Sequence, residues 1–541
     1  MRLAICFALV MSTTATFAQT EKIDALLADF AKPGAPGCAV AITQNGKPIY
    51  VKGFGLANLE YNVPVRPDTP FHIASISKQF TAFAIYLLAR ERKLSLDDDI
   101  RRFLPEMHAY AQPVSIRHLI HHTSGVRDQW DLCVLAGWRM TDLITHDDIL
   151  KLLFRQESLN FTPGSAHLYS NGGYSLLAEI VQRVSGMPFA EFCRKRIFEP
   201  LGMSRTQVHE SALDIVPGRA QSYFLDGDGK WRNALLSYSN MGATSVFTTV
   251  EDFLKWDANF DSHKVGGAAV ADWMLQPTVL NNGTKLQYAG GTFVFKYRGL
   301  DAVGHAGGDA GFRTDCLRFP QQGLSIILFA NRAEASAPSL TRAIADILLE
   351  GQFPQPKSTP AKPEVGITLS SSDRDQFVGD YRFENGTIVS IRVVQDSLIG
   401  RMDGGEGIPL IARSKSLLFA PLVQTELEMF GDLLAMKMGN RSMVAKRVML
   451  DWPKPSHLAA YAGRYWSDEL KVAYEVKVDG DKLVLVHPRE NYPLEIRLPD
   501  RYVCDLGQIG FSRSRGKVAG FTVSTGRVMG LKFVRDDRKD G

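Results

Sequence analysis

The segment Gly351-Gln352-Phe353-Pro354-Gln355-Pro356-Lys357-Ser358-Thr359-Pro360-Ala361-Lys362-Pro363 carries four prolines and divides the chain into two stretches of different texture. Proline fixes φ and has no N–H, so this run can continue neither a helix nor a central strand and reads as a stiff, extended linker over 351–367. Before it, apolar residues recur at both helical and strand spacing. After it, short alternating apolar runs are separated by turns. A chain of 541 residues is also too long for a single core, so two or three domains are expected.

Upstream of the linker, Cys38 to Ile42 and Ile49 to Gly53 flank Gln44-Asn45-Gly46-Lys47, a strong hairpin signal. Two more strands are expected near Val303 to His305 and Leu324 to Phe329, with helical segments between and a helix-like run from Leu340 to Leu349. Residues 19–350 therefore read as an α+β domain, an antiparallel sheet whose helices come mostly from the middle of the chain. Downstream, Phe377-Val378-Gly379-Asp380-Tyr381 is echoed by Tyr461-Ala462-Gly463-Arg464-Tyr465, 84 residues later. Strand-like pieces follow each echo, at Thr387 to Val394, then at Val472 to Val478 and Leu483 to Val486. Two small antiparallel β-barrels or sandwiches, 368–455 and 456–541, fit this pattern.

The first residues, Arg2, an apolar run from Leu3 to Met11 and small residues at Thr16 and Ala18, read as a secretory signal peptide over 1–18. The expected location is periplasmic or secreted. A transmembrane anchor needs roughly 20 apolar residues, and no run is that long. With a formal net charge of +4 and no basic stripe or aromatic platform, nucleic acid is not an expected partner. Beyond the signal, Cys38, Cys133, Cys193, Cys316 and Cys504 are too scattered for a disulfide scaffold or zinc knuckle, although one bridge is possible in an oxidising compartment. His118, His121 and His122 lack a partner at zinc spacing, and Asp97-Asp98-Asp99 reads as a helix-start turn. No cofactor or metal is expected, and the oligomeric state is left open.

Chemistry is concentrated in three places. Ser75-Ile76-Ser77-Lys78 opens a run with Phe80, Phe83, Ala84, Leu87 and Leu88 at helical spacing, which puts a hydroxyl and an amine on one helix face. A serine needs a proton acceptor and an oxyanion site to act as a nucleophile. Tyr169-Ser170-Asn171, after the turn Phe161-Thr162-Pro163-Gly164, supplies the first if a Lys78 ammonium favours the Tyr169 phenolate. Asn171 can accept from Lys78 and donate to a substrate carbonyl. Gly304-His305-Ala306-Gly307-Gly308-Asp309-Ala310-Gly311 reads as a glycine turn after a sheet edge, where the Gly308 amide could pair with that of Ser75 and His305 could donate at the rim. Each motif alone is weak; the three together in one domain are not.

Ser75-Ile76-Ser77-Lys78, Tyr169-Ser170-Asn171 and His305-Ala306-Gly307 resemble the Ser-x-x-Lys, Tyr-x-Asn and Lys/His-x-Gly elements of serine beta-lactamases of the class C type. That family also includes penicillin-recognising peptidases, esterases and D-aminopeptidases. Leu119-Ile120-His121-His122-Thr123-Ser124-Gly125 resembles the segment the family carries between its first two motifs. The resemblance implies a serine hydrolase with a covalent acyl-enzyme: Ser75 as nucleophile, Lys78 and Tyr169 as the proton-transfer pair, and Asn171, His305, Gly307 and Gly308 around substrate and oxyanion. His305 stands where beta-lactamases usually have a lysine, and Ala306 lacks the hydroxyl that follows it, so esters and peptide amides are better candidates than beta-lactams. His-x-Gly followed by two lipocalin-like barrels resembles D-aminopeptidases, in which a loop of the last domain reaches the cleft; Cys504 to Gly510 is where the resemblance would place such a loop here. A peptidase of D-aminopeptidase or carboxypeptidase kind, a carboxylesterase and a catalytically silent binding protein are the readings carried forward.

Overall fold

The computed structural model describes residues 18–354, 366–384, 386–438 and 441–536. The expected signal segment, up to residue 17, and the linker core, 355–365, lie outside the described residues. The chain divides into two units, Met1–Gln355 and Pro356–Gly541, each taken here by itself.

The first unit is built on a six-stranded antiparallel sheet. Its strands are β1 (Cys38–Gln44), β2 (Lys47–Phe54), β3 (Phe293–Tyr297), β4 (Leu300–Asp309), β5 (Phe312–Phe319) and β6 (Leu324–Ala330), in the order β3-β4-β5-β6-β1-β2. The β1–β2 hairpin turns at Asn45 and Gly46, both with positive φ, as a two-residue turn matched to strand twist requires. β1 then pairs with β6, Cys38 opposite Ala330, so the sheet closes only when the two ends of the domain meet. One face buries Ile23, Leu27, Val40, Ile42, Ile326, Leu328 and Ile344 beneath the helical residues 18–26 and helix Ala337–Leu348.

The other face carries the mid-chain helices. Helix α1 (Lys78–Arg90) is buried at every position from Lys78 to Leu88, so it is enclosed on all sides, beyond the single apolar face the sequence suggested. Its polar groups are paired inside the core: Trp256 Nε1 donates to Gln79 Oε1 at 2.9 Å and Thr81 Oγ1 donates to the Gly242 carbonyl at 2.7 Å. Helix α2 (Asn171–Ser185) starts where the Ser170 hydroxyl accepts from the Gly173 amide, and stops at Gly186 with φ of 70°.

The stretch 304–311, expected as a glycine turn, is strand β4 as far as Asp309, and only Ala310 and Gly311 turn. Glycine has low strand propensity, but here a neighbouring strand pairs the whole run, from His305 opposite Cys316 to Asp309 opposite Phe312.

In the second unit, two closed eight-stranded antiparallel barrels each run in sequence order, spanning Gly379–Val448 and Gly463–Arg535. The short sequence echo marks equivalent positions. Tyr381 donates its hydroxyl to the Phe377 carbonyl at 2.8 Å, and Tyr465 donates to that of Tyr461 at 2.5 Å. Each ring is covered by an arginine near the barrel's end, Arg447 and Arg535, whose guanidinium donates to carbonyls just before the first strand. Cys504 to Gly510 forms a hairpin of the second barrel, with Cys504 ending one strand and Gly507 opening the next. The five cysteines are free thiols, and among the described residues no helix is long and apolar enough to cross a membrane.

Candidate active site

Ser75 lies in a 3-10 turn, Ala74–Ser77, immediately before α1, and not in the α-helix itself. The preceding Ala74 has φ of 49°, a conformation L-residues seldom adopt, and it is fully buried. Four contacts hold this turn. The Thr314 hydroxyl donates to the Ile73 carbonyl at 3.0 Å, the Ile73 amide donates to Val246 O at 2.9 Å, the Val246 amide to Ser77 Oγ at 3.2 Å, and the Ala74 amide to His72 Nδ1 at 3.3 Å. Gly307 explains why strand β4 can lie against the turn. A Cβ there would stand 2.4 Å from Thr314 Oγ1, 2.5 Å from Ile73 O and 3.0 Å from Ala74 Cβ. Gly307, expected beside the oxyanion, thus has a steric role that the sequence pattern did not show.

Lys78 is wholly buried, and its Nζ reaches Asn171 Oδ1 at 2.8 Å, the Ala243 carbonyl at 2.8 Å and Ser75 Oγ at 3.1 Å. The first two partners can only accept, so they take two N–H groups whatever the charge. The third contact depends on the proton: an ammonium donates to Ser75, whereas a free amine presents its lone pair to the Ser75 O–H. Tyr169 lies beside this centre, its ring centroid 4.8 Å from Nζ. Asn171 is the first residue of α2. Its amide orientation is fixed from both sides, since Oδ1 accepts from Lys78 while Nδ2 donates to Asp128 Oδ2 at 2.9 Å.

His305 departs from its expected place at the rim. It is 5 % exposed, and burial, helped by the nearby Lys78 charge, lowers its pKa to about 3. Its Nδ1 faces the Ala306 carbonyl at 2.6 Å, which requires an N–H there, so Nε2 accepts from the Tyr288 hydroxyl at 3.2 Å. A neutral imidazole with both nitrogens engaged replaces the expected donor.

The ladder places Gly308. The turn at Ala310–Gly311 is closed by the pair Asp309–Phe312, and antiparallel pairs alternate in hydrogen bonding, so the N–H and C=O of Gly308 point away from β5. On that side β3 pairs β4 only as far as Gly304. The amides of Ala306 and Gly308 therefore face an uncovered strand edge, next to the Ser75 turn.

Several contributors carried no sequence signal. Asp128 is fully buried, accepts from both the backbone amide and the side chain of Asn171, and caps helix Gln129–Leu135. The 240–245 loop brings the Ala243 carbonyl to Lys78 and fits only because Gly242 has φ of 86° and no side chain against Tyr174 O. Tyr288 packs among Tyr169, His122 and His305. The three histidines weighed as metal ligands are otherwise engaged: His118 Nδ1 accepts from the Ser115 amide, His121 Nδ1 contacts Tyr288 O, and His122 Nδ1 accepts from the Ser170 amide.

A partly buried serine on a buried lysine, facing a free strand edge of amides, is the equipment of a serine hydrolase. Comparison with known proteins agrees. The beta-lactamase family matches residues 22–349, and the chain belongs to it. A penicillin-binding protein of Bacillus subtilis strain 168 is 27% identical over 407 residues, covering 72% of this chain and 89% of its own. A D-aminopeptidase of Brucella ovis is 24% identical over 526 residues, covering 92% and 96%. The octameric penicillin-binding protein homologue of Pyrococcus abyssi shares the fold, with a TM-score of 0.55 at 21% identity over 87% of this chain and 99% of that one. The chain is a serine hydrolase.

Two expectations follow. Gly307→Ala should slow acylation of Ser75 by at least about 10-fold and cost about 1–3 kcal/mol of stability, because the added methyl must push back the strained turn. Fluorophosphonate labelling rates and thermal unfolding test this, and an unchanged rate would show that the close approach does not matter. Acid should also destabilise the first unit. Burial lowers the pKa of His72 and His305 to about 3, of His121 and His146 to about 4, and that of His122 well down from 6.5. Below about pH 6.5 the unfolded chain gains protons on these imidazoles that the fold excludes. Asp309 and Asp315, raised by burial to about 6 from 3.8, act in the opposite sense but are fewer. Stability should therefore fall as the pH drops from 6.5 towards 4. Denaturant titrations across that range check the sign, and a flat profile would mean these imidazoles are not kept neutral.

Proposed function

We propose that this hydrolase cleaves peptide amides that carry no carboxylate beside the scissile bond, as a D-aminopeptidase or D-amino-acid amidase would. The observation that carries the reading is His305: a buried, neutral imidazole occupies the position of a charged lysine, so this side chain offers no positive charge to an anionic substrate group. The match to a D-aminopeptidase over nearly the whole chain, barrels included, supports the same class. The apolar run Leu3 to Met11 supports export to the periplasm or beyond.

In this reading the Ser75 O–H proton passes to the Lys78–Tyr169 pair, with Tyr169 as the acceptor beside the Lys78 ammonium, as Oγ bonds to the carbonyl carbon. The amides of Ser75 and Gly308 receive the oxyanion. The same proton then reaches the leaving nitrogen as the C–N bond breaks, releasing an amine and leaving an ester on Ser75. Water repeats the sequence, giving its proton to the pair, forming the acid and restoring the Ser75 hydroxyl. Asn171, held by Asp128, keeps Lys78 in line.

Ser75→Ala should abolish covalent labelling and lower turnover by at least about 10³-fold while the fold persists. Of D-alanine p-nitroanilide, a D-Ala-D-Ala peptide, p-nitrophenyl acetate and nitrocefin, the first should show the highest kcat/KM among the amides. An adduct on another serine would remove Ser75 from its role. A preference for the carboxylate-bearing peptide or nitrocefin would contradict the substrate class.

A further inference from the structure

His122 has no part in the chemistry above, yet it holds Tyr169 and both of its chain neighbours. Its carbonyl accepts from the Leu168 amide at 3.0 Å, and its Nδ1 accepts from the Ser170 amide at 3.1 Å, so both residues flanking Tyr169 are tied to it. Its ring also lies on the Tyr169 ring, with centroids 4.1 Å apart and planes inclined by 36°.

This arrangement carries a local cost. His122 has φ of 57°, uncommon for a residue with a side chain, and is 1 % exposed. Acceptance at Nδ1 leaves the proton of the neutral ring on Nε2, a buried atom with no hydrogen-bond partner among the described residues. Burial and the Lys78 charge keep the ring neutral, which preserves the Nδ1 lone pair. Around it stand Lys78, His121, His167, Tyr174, Tyr288 and His305, and none of these is a carboxylic acid. A core position needing only bulk would be better served by an apolar ring in relaxed backbone.

We infer that His122 is a positioning residue that clamps Tyr169 beside Lys78 through the two flanking amides and the ring contact. The inference rests on the proton-transfer role proposed for Tyr169. Asparagine is the informative replacement, because it tolerates positive φ and its Oδ1 can stand in for Nδ1 as an acceptor. Glycine keeps the backbone conformation and removes both the acceptor and the ring.

With the full-length protein and p-nitrophenyl acetate, His122→Gly should slow acylation at least about 30-fold, with KM changed less than about 3-fold, as misplacement of a reacting group predicts. His122→Asn should recover to within about 5-fold of the parent. Equal rates in the glycine variant and the parent, or equal losses in the glycine and asparagine variants, would overturn the clamp. If the glycine variant does not fold, His122→Gln replaces it: its acceptor is displaced by one bond, so it should be slower than asparagine, and equal rates would again overturn the inference. Tyr169→Phe, measured alongside, separates the two ideas. If it acylates like the parent, the role of Tyr169 fails; if it is slow while the His122 variants are not, only the clamp fails.

Discussion

A single nitrogen, Lys78 Nζ, joins the parts of this site. Its three oxygen partners come from the turn before α1, the start of α2 and the 240–245 loop, the last 165 residues from Lys78 in sequence. A buried amine left without partners would cost several kcal/mol, so the fold must deliver all three together. The same requirement reaches outward. Asn171 can accept from Lys78 only if its amide is oriented, and Asp128 orients it. Stability and catalytic geometry are therefore set by the same contacts.

The second constraint is steric. Ser75 follows a residue in a left-handed conformation, and that turn is wedged between β4, β5 and the Val246 backbone. Strain of this kind persists where the surroundings over-determine it, and Gly307 lets the strand approach closely enough to do so. The strand that presses on the turn also presents the Gly308 amide at its uncovered edge, so one packing contact positions the proposed nucleophile relative to the proposed oxyanion donor.

The sequence disclosed best what is local or periodic. The Asn45-Gly46 hairpin, the buried run after Lys78 and the two-barrel repeat were readable because turn chemistry, apolar spacing and a recurring tyrosine each leave a short signature. Ser75, Lys78 and Tyr169 stood out for the same reason. What escaped depends on tertiary contact. Gly304 to Asp309 looks like a turn by composition and is a strand because β5 pairs with it. His305 looked like a rim residue, whereas its enclosure by Tyr288, Phe293 and Tyr169, with the Lys78 charge nearby, keeps it neutral well below the ordinary histidine range. Asp128 and Ala243 reach Lys78 or its partner from distant segments and have no motif that announces them.

The central claim is that Lys78 and Tyr169 form one proton-transfer unit for Ser75. A double-mutant cycle on acylation by p-nitrophenyl acetate measures this directly, using Lys78→Ala, Tyr169→Phe and the pair. Each single change should slow acylation at least about 100-fold, and the double variant should fall within about 3-fold of the slower single one, because a broken relay cannot be broken again. Losses that multiply would mean that the two residues act independently, and would contradict the account.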